Sequence, residues 1–277
     1  RLDLGLDTYL LLVRFADPTN DTSGSLHPCV LPEFSVAQKL QGGRLAVGFS
    51  LFVPGGFGAE THLQTATFPR SLYRSFAALV KAEPAVAYRV TDRLSIGAAL
   101  GVAASYVKID SPYVVQTGAL AGAPTKVDLR SNGFTPAYSL GLQYAATDST
   151  RLGVAWTGES SFTLGGRARV TAGNAVSHYD SSVDFTWPQS VAVGALQKLG
   201  ERQRLSLDLT WLDWSHAFRG IGFRLGKGSN PALPSFVVDT LALDWRDSYG
   251  VKLGWEVDVA PRAIARAGYA YHGQPIP

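Results

Sequence analysis

Between Leu241 and Val259 the chain alternates strictly. Leu241, Leu243, Trp245, Tyr249, Val251, Leu253, Trp255, Val257 and Val259 fall on one parity, and Asp247 is that parity's lone polar member. Ala242, Asp244, Arg246, Ser248, Gly250, Lys252, Gly254, Glu256 and Asp258 fall on the other. A period of two places successive side chains on opposite faces of a β-strand, and this run is far longer than the usual strand of about 5–6 residues. The pattern recurs at Leu2–Leu12, Leu45–Val53, Leu94–Val102, Phe134–Tyr144, Val183–Val193 and Leu205–Trp211. The second face is built of Gly, Ala and Ser with sparse charge, unlike the dense Lys/Glu surface of a solvated sandwich. An apolar face turned to lipid around a polar lumen accounts for it, which predicts an all-β fold, a transmembrane antiparallel β-barrel.

The connections give a second line of argument. Short links at Gly42-Gly43, 91–93, 147–150, 200–202 and 260–261 carry turn residues. They alternate without a break with long links near 15–32, 54–79, 109–126, 158–182 and 216–238. Outer-membrane barrels join their strands in this way, with short periplasmic turns and long extracellular loops. The count is 11 strands in a single domain spanning 1–277. Single-chain bacterial barrels are even-stranded, so an odd count ending outside predicts that C-terminal strands are missing.

Composition agrees. Charged residues make up 17% of the 277, below the roughly 25% of soluble domains. No apolar run reaches the roughly 18–20 residues of a transmembrane helix. A net charge of +3 without a Lys/Arg stripe argues against nucleic acid as a partner, and the single Cys29 excludes a disulfide scaffold. The five His show no metal-ligand spacing, so neither metal nor cofactor is expected. No Gly-x-Ser-x-Gly occurs, and the adjacent Ser177 and His178 point apart in a strand, so the chain is read as not an enzyme.

Several stretches resemble the FadL/TodX family of outer-membrane transporters of long-chain fatty acids and aromatic hydrocarbons. They are Leu45-Ala-Val-Gly-Phe-Ser-Leu-Phe-Val-Pro-Gly-Gly-Phe-Gly58, Glu83-Pro-Ala-Val-Ala-Tyr-Arg-Val-Thr-Asp-Arg-Leu-Ser-Ile-Gly97, Arg151-Leu-Gly-Val-Ala-Trp156, Leu207-Asp-Leu-Thr-Trp-Leu-Asp-Trp-Ser215, Trp245-Arg-Asp-Ser-Tyr-Gly-Val-Lys-Leu-Gly254 and Arg266–Pro277. The resemblance implies a 14-stranded barrel plugged by an N-terminal hatch. It places the hatch before Arg1 and three strands after Pro277, outside this sequence. It also implies ligand release sideways through a kink in the third strand, which makes Pro54, Gly55 and Gly56 the lateral-gate candidates. Those three residues also suit the simple start of a loop.

The long link after Pro54 supplies the ligand candidates. From Pro69 onward Leu72, Phe76, Leu79 and Val80 follow helical spacing, which predicts a helix whose apolar face, with Phe57, captures an acyl chain. The alternative is that this face packs as ordinary core. Arg246 and Lys252 have lumen-facing parity and suit a ligand carboxylate, as do Arg89, Arg204 and Arg266. The competing reading pairs these cations with Asp208, Asp244, Glu256 and Asp258. Trp156, Trp187, Trp211, Trp245 and Trp255 share the apolar parity and are expected as interfacial anchors, whereas Trp214 has the opposite parity. Asp17-Pro-Thr-Asn20-Asp21 reads as turn chemistry rather than a cation site.

The expected function is outer-membrane transport of fatty acids or other hydrophobic compounds. Its ligand would be captured at extracellular loops, and membrane lipid and lipopolysaccharide would surround the barrel. The alternatives are an open diffusion porin or structural barrel, and an outer-membrane lipid hydrolase.

Overall fold

A computed structural model of the chain describes every residue except 11, 12, 26, 27, 41 and 262. Strands dominate the chain order. They begin with β1 (Leu2–Leu10), β2 (Arg14–Ala16), β3 (Asp21–Ser23), β4 (Pro28–Lys39), β5 (Leu45–Leu63) and β6 (Ser71–Arg89). Next come β7 (Leu94–Val114), β8 (Pro124–Ala145), β9 (Thr150–Thr157), β10 (Ser160–Ala172), β11 (Ala175–Trp187) and β12 (Ser190–Leu199). After β13 (Gln203–Leu212) and the short helix α1 (Trp214–Ala217), the chain runs through β14 (Gly220–Gly226), β15 (Val237–Ala242), β16 (Ser248–Ala260) and β17 (Ala263–His272).

Among the described residues one antiparallel path, β1-β4-β5-β6-β7-β8-β9-β12-β13-β16-β17, makes the wall, and its eleven strands equal the number read from the alternation. The turns at one end are tight. Gly42, Gly43 and Gly200 carry φ of 82°, 64° and 67°, a left-handed backbone that glycine adopts without steric cost. At the other end the hairpins continue well beyond the wall. The long link near 54–79 is the outer half of β5, a tip at 64–70 and the start of β6. The link near 158–182 is the hairpin of β10 and β11, whose first strand pairs with the outer part of β8 and whose second carries β14 and then β15.

β6, β7 and β8 invert their polarity along their length while keeping their pleat. In β8 the outward residues at the membrane level are Phe134, Tyr138, Leu140, Leu142 and Tyr144, and Phe134 is 76% exposed. Toward the extracellular end the outward positions become Lys126, Asp128 and Arg130, while the inward Val127 and Leu129 are buried. Lipid sets the first pattern and water the second. The inner faces of the extended hairpins then have only one another to pack against, and they form the core: Leu79, Val107, Leu129, Leu164, Val183 and Phe185 are all buried.

This inversion corrects two expectations. The helix expected from Leu72 to Val80 is instead part of the single strand β6. Both of its faces are apolar there, core inside and lipid outside, so the run satisfied helical spacing by coincidence. Trp187 and Trp245 are not interfacial anchors: Trp187 is 5% exposed in the core, and Trp245 packs against it from within. Trp156, Trp211 and Trp255 remain on the wall, where their ring N–H groups donate to Gln189, Asp247 and Gln203.

A side cleft and an aromatic box

β5 contains one extra residue. Phe52 pairs with Lys81 but Gly55 pairs with Leu79, so Val53-Pro54 bulges outward and the pleat flips. Pro54 cannot donate to a ladder, which fixes the irregularity at this point. The flip turns Phe57 inward, opposite Ala77, and leaves Gly56 and Gly58 on the outer surface. Pro54, Gly55 and Gly56 therefore interrupt a strand rather than begin a loop.

The bulge also ends pairing on the other side. Among the described residues β4 and β5 are paired from Lys39–Ala46 to Phe34–Leu51 and no farther. Beyond that point β4 stays with β1, from Gly5–Glu33 to Leu10–Pro28. Among the described residues contact resumes near the top, where Ser25 N–H donates to the Glu60 carbonyl at 2.9 Å. There Asn20 also exchanges two hydrogen bonds with the Gln64 backbone, at 2.8 and 2.9 Å. Asn20 is held by the Asp17 carboxylate, as the turn reading of 17–21 expects. Between these two limits the wall has a side cleft of about 540 Å³, edged by Cys29 and Val30 on one side and by Gly56, Phe57 and Phe76 on the other.

Behind the cleft lies a box of six rings. Phe57 stands 5.5 Å from Trp187, 5.7 Å from Phe218, 6.1 Å from Trp245 and 6.3 Å from Phe185, measured between ring centroids. Trp214 completes it, 5.0 Å from Phe218 and 5.1 Å from Trp245. Tilted and edge-on pairs at these spacings are favourable arrangements of the ring quadrupoles. The backbone places each ring. Asp213 caps α1 by accepting from His216 N–H and also accepts from the Gln189 side chain, which ties α1 to the end of β11. Trp245 N–H donates to the Phe218 carbonyl at 3.2 Å, just after Asp244 turns the chain at φ 49°. Trp187 Nε1 donates to Ser105 Oγ at 3.0 Å, which satisfies the one polar atom this side chain buries.

The expected ligand residues are thus divided. Phe57 belongs to both cleft and box. Phe76 lies on the outer surface beside the cleft, and Leu79 is 4% exposed in the core. Leu72 pairs with His62 near the tip, and Val80 shares the outward parity of Phe76. The expected stripe is therefore split across two faces. Lys252 faces the lumen beside Asp208, and Arg246 follows Trp245 with its backbone N–H bonded to Pro275. Arg204 pairs with Glu256 and Asp258, and Arg266 with Glu256, so these cations follow the ion-pair reading. Phe185, Trp187, Trp214, Phe218 and Trp245 were not separable as a site from sequence, because strand parity alone put two of them on the wrong face.

The comparisons with known proteins agree with this architecture. The structure superposes on the toluene transporter TbuX of Ralstonia pickettii with a TM-score of 0.81 at 21% identity, covering 98% of this chain and 77% of that one. A Pseudomonas aeruginosa FadL homologue gives 0.77 at 14% identity, with 99% and 70% covered. The Pseudomonas putida toluene transporter TodX gives 0.76 at 19%, with 100% and 74% covered. Among curated protein sequences none matches the chain. The family model for the outer membrane protein transport proteins (OMPP1/FadL/TodX) matches residues 9–277, and the chain belongs to that family of outer-membrane barrels.

Proposed function

We propose that this chain takes up small aromatic hydrocarbons, which pass between the aromatic box and the outer leaflet by way of the side cleft. The observation that carries the reading is Phe57, whose ring is at once a wall of the box and an edge of the cleft. An apolar ligand gains about 25 cal/mol per Å² of surface removed from water, and a box of rings supplies that surface without a charge to desolvate. Supporting this ligand class, the TbuX and TodX structures are of toluene transporters. Phe57 and Phe76 would meet the ligand at the cleft, and Pro54, Gly55 and Gly56 would hold the gate open.

A second reading keeps a long-chain fatty acid as ligand, with Arg246 or Lys252 holding its carboxylate. It is favoured by the position of Arg246 directly after Trp245 of the box. Both readings describe a transporter and not an enzyme, set in membrane lipid and lipopolysaccharide and without nucleic acid. The buried Ser177 and exposed His178 lie on opposite faces, which supports that view. The test is uptake by cells expressing the protein, with labelled toluene, a labelled long-chain fatty acid and a labelled small sugar offered separately. Saturable toluene uptake is expected. Saturable fatty-acid uptake alone selects the second reading, and sugar entry without either overturns both in favour of an open pore.

A further inference from the structure

On the outer surface, at the edge of the apolar band, three cations stand side by side across three adjacent strands. Lys108 of β7 is paired with Arg130 of β8, and Arg130 with Arg167 of β10. All three point away from the core, since their neighbours Val107, Leu129 and Ala168 are buried inside. Like charges placed directly opposite on a sheet repel and destabilise it. The next row outward sets Asp110 opposite Asp128 and Asp128 opposite Arg169, so it carries both signs.

The local carboxylates do not neutralise the row. Asp110 is engaged by Lys126 at 3.1 Å, and Asp180, which stands opposite Arg167 on the next strand, by Lys227 at 2.8 Å. Asp128 reaches Arg130 only at 3.7 Å. Among the described residues Lys108, Arg167 and Arg169 have no ion-pair partner within 4.0 Å. Lys108, Lys126, Arg130, Arg167, Arg169 and Lys227 stand here, among the described residues, with Asp110, Asp128 and Asp180, and the neighbouring Arg74–Glu60 pair adds no net charge. The patch thus holds an excess equal to the +3 of the whole chain. A shallow concavity of about 590 Å³ opens over Arg130, Arg167, Arg169 and Lys227, with Asp128 and Asp180 also in its lining.

Height decides what fills it. Lys108 sits directly opposite the outward Phe76 and two residues past Tyr106, and Arg130 is four past Phe134. The row therefore lies at the edge of the apolar band, at most roughly 13 Å along the strands from its last side chains. In an outer-membrane protein that is the headgroup level of the outer leaflet. Long Arg and Lys stems lie along the apolar surface there and carry their charges up to the headgroups. We infer that the Lys108–Arg130–Arg167 row binds the phosphate groups of the phosphorylated glycolipid, lipopolysaccharide, that forms this leaflet. Guanidinium forks match phosphate oxygens bidentately, and the bound anion relieves the repulsion within the row. Lys108 also lines the side cleft, whereas Arg130 and Arg167 lie away from it, so the readout is lipid binding rather than hydrocarbon uptake.

The test uses the purified full chain in detergent and measures binding of bis-phosphorylated lipid A, of lipid A stripped of its phosphates, and of phosphatidylglycerol. Bis-phosphorylated lipid A is expected to bind at least tenfold more tightly than the other two. The triple variant Lys108→Gln, Arg130→Gln, Arg167→Gln is expected to lose that tenfold preference. A triple variant at the opposite end, Arg93→Gln, Lys198→Gln, Arg202→Gln, should keep it. Should the first variant fail to fold, Arg167→Gln against Arg167→Lys answers the same question, with the preference reduced in the former and largely kept in the latter. Equal binding of phosphatidylglycerol, or an equal loss in the opposite-end variant, would overturn the proposal. So would full competition by inorganic phosphate at matched phosphate concentration.

Discussion

Phe57 of β5 and Trp187 at the end of β11 meet across the lumen with ring centroids 5.5 Å apart, tilted at 51°. The contact exists because the Val53-Pro54 bulge reverses the pleat of β5. Replacing Phe57 by Ala removes the ring shared by box and cleft while leaving the strand pairing intact. The expected result is saturable toluene uptake whose half-saturation rises about tenfold, the effect of losing roughly 1.4 kcal/mol of aromatic contact. Concentration-dependent uptake measures it, and unchanged saturation would remove Phe57 from the ligand path.

Deleting Pro54 tests the cleft itself. The shortened strand has no extra residue between Phe52–Lys81 and Gly55–Leu79, so the ladder with β6 becomes regular while Phe57 stays opposite Ala77. Without the bulge, β5 is free to continue its pairing with β4 past Leu51. The barrel should fold as before and toluene uptake should fall at least tenfold. Normal uptake by the folded deletion variant would show that ligand does not leave through this side of the wall.

The sequence made the membrane strands legible because lipid on one side and a small polar lumen on the other write opposite chemistries on alternate residues. Phe134, Tyr138 and Leu140 against Thr135, Ala137 and Ser139 is such a case. Beyond the membrane the same parity carries the opposite chemistry, as Val127 and Leu129 show. A reader who extends the lipid rule there puts Trp187 and Trp245 outside. At β6 both faces are apolar, so spacing alone could not separate helix from strand. The box was illegible for a different reason: its rings come from β5, β11, α1 and the segment before β16, and only the tertiary fold brings them together.

Cys29 offers a direct probe, since it is the single cysteine of the chain and edges the side cleft. A maleimide should label it in the folded protein without any engineered site. If hydrocarbon occupies the cleft, saturating toluene should slow labelling severalfold, whereas a sugar at equal concentration should not. Mass spectrometry of timed samples follows the reaction. Equal rates with and without toluene would place the ligand elsewhere.

Asp239 locks the extracellular hairpins. Its carboxylate is 2% exposed and accepts from Tyr113 hydroxyl at 2.9 Å, Gln116 N–H at 2.7 Å and Thr240 N–H at 2.9 Å. Asp239→Asn replaces an acceptor oxygen with a donor and should cost about 1–3 kcal/mol locally. Faster limited proteolysis at the 115–123 tip is the expected sign. Burial first, and then the Asp239 carboxylate, push the Tyr113 hydroxyl above its ordinary value of 10.0. The folded state therefore holds this proton more tightly than the unfolded state. The stabilisation is complete below pH 10 and fades only as the pH climbs above it. In ultraviolet titration, Tyr113→Phe should leave the tyrosinate absorbance unchanged up to about pH 11.

Lys81 and Glu83 of β6 form a charged pair inside the wall, with side chains 3% and 6% exposed and Nζ to Oε1 at 3.9 Å. Lys81 lies opposite the fully buried Ala103, a small residue that leaves room for the long side chain. Turned outward, such a cation would cost about 2–4 kcal/mol at the bilayer midplane, so its inward parity is what the membrane demands. Inside, the two charges depend on each other. Lys81→Met leaves Glu83 buried without its counter-ion and should destabilise the barrel by about 3–5 kcal/mol. The double variant Lys81→Met, Glu83→Gln removes both charges and should recover most of that loss. The urea midpoint of unfolding in detergent reads both effects. A double variant no more stable than Lys81→Met alone would mean that Lys81 is held by packing and not by its partner's charge.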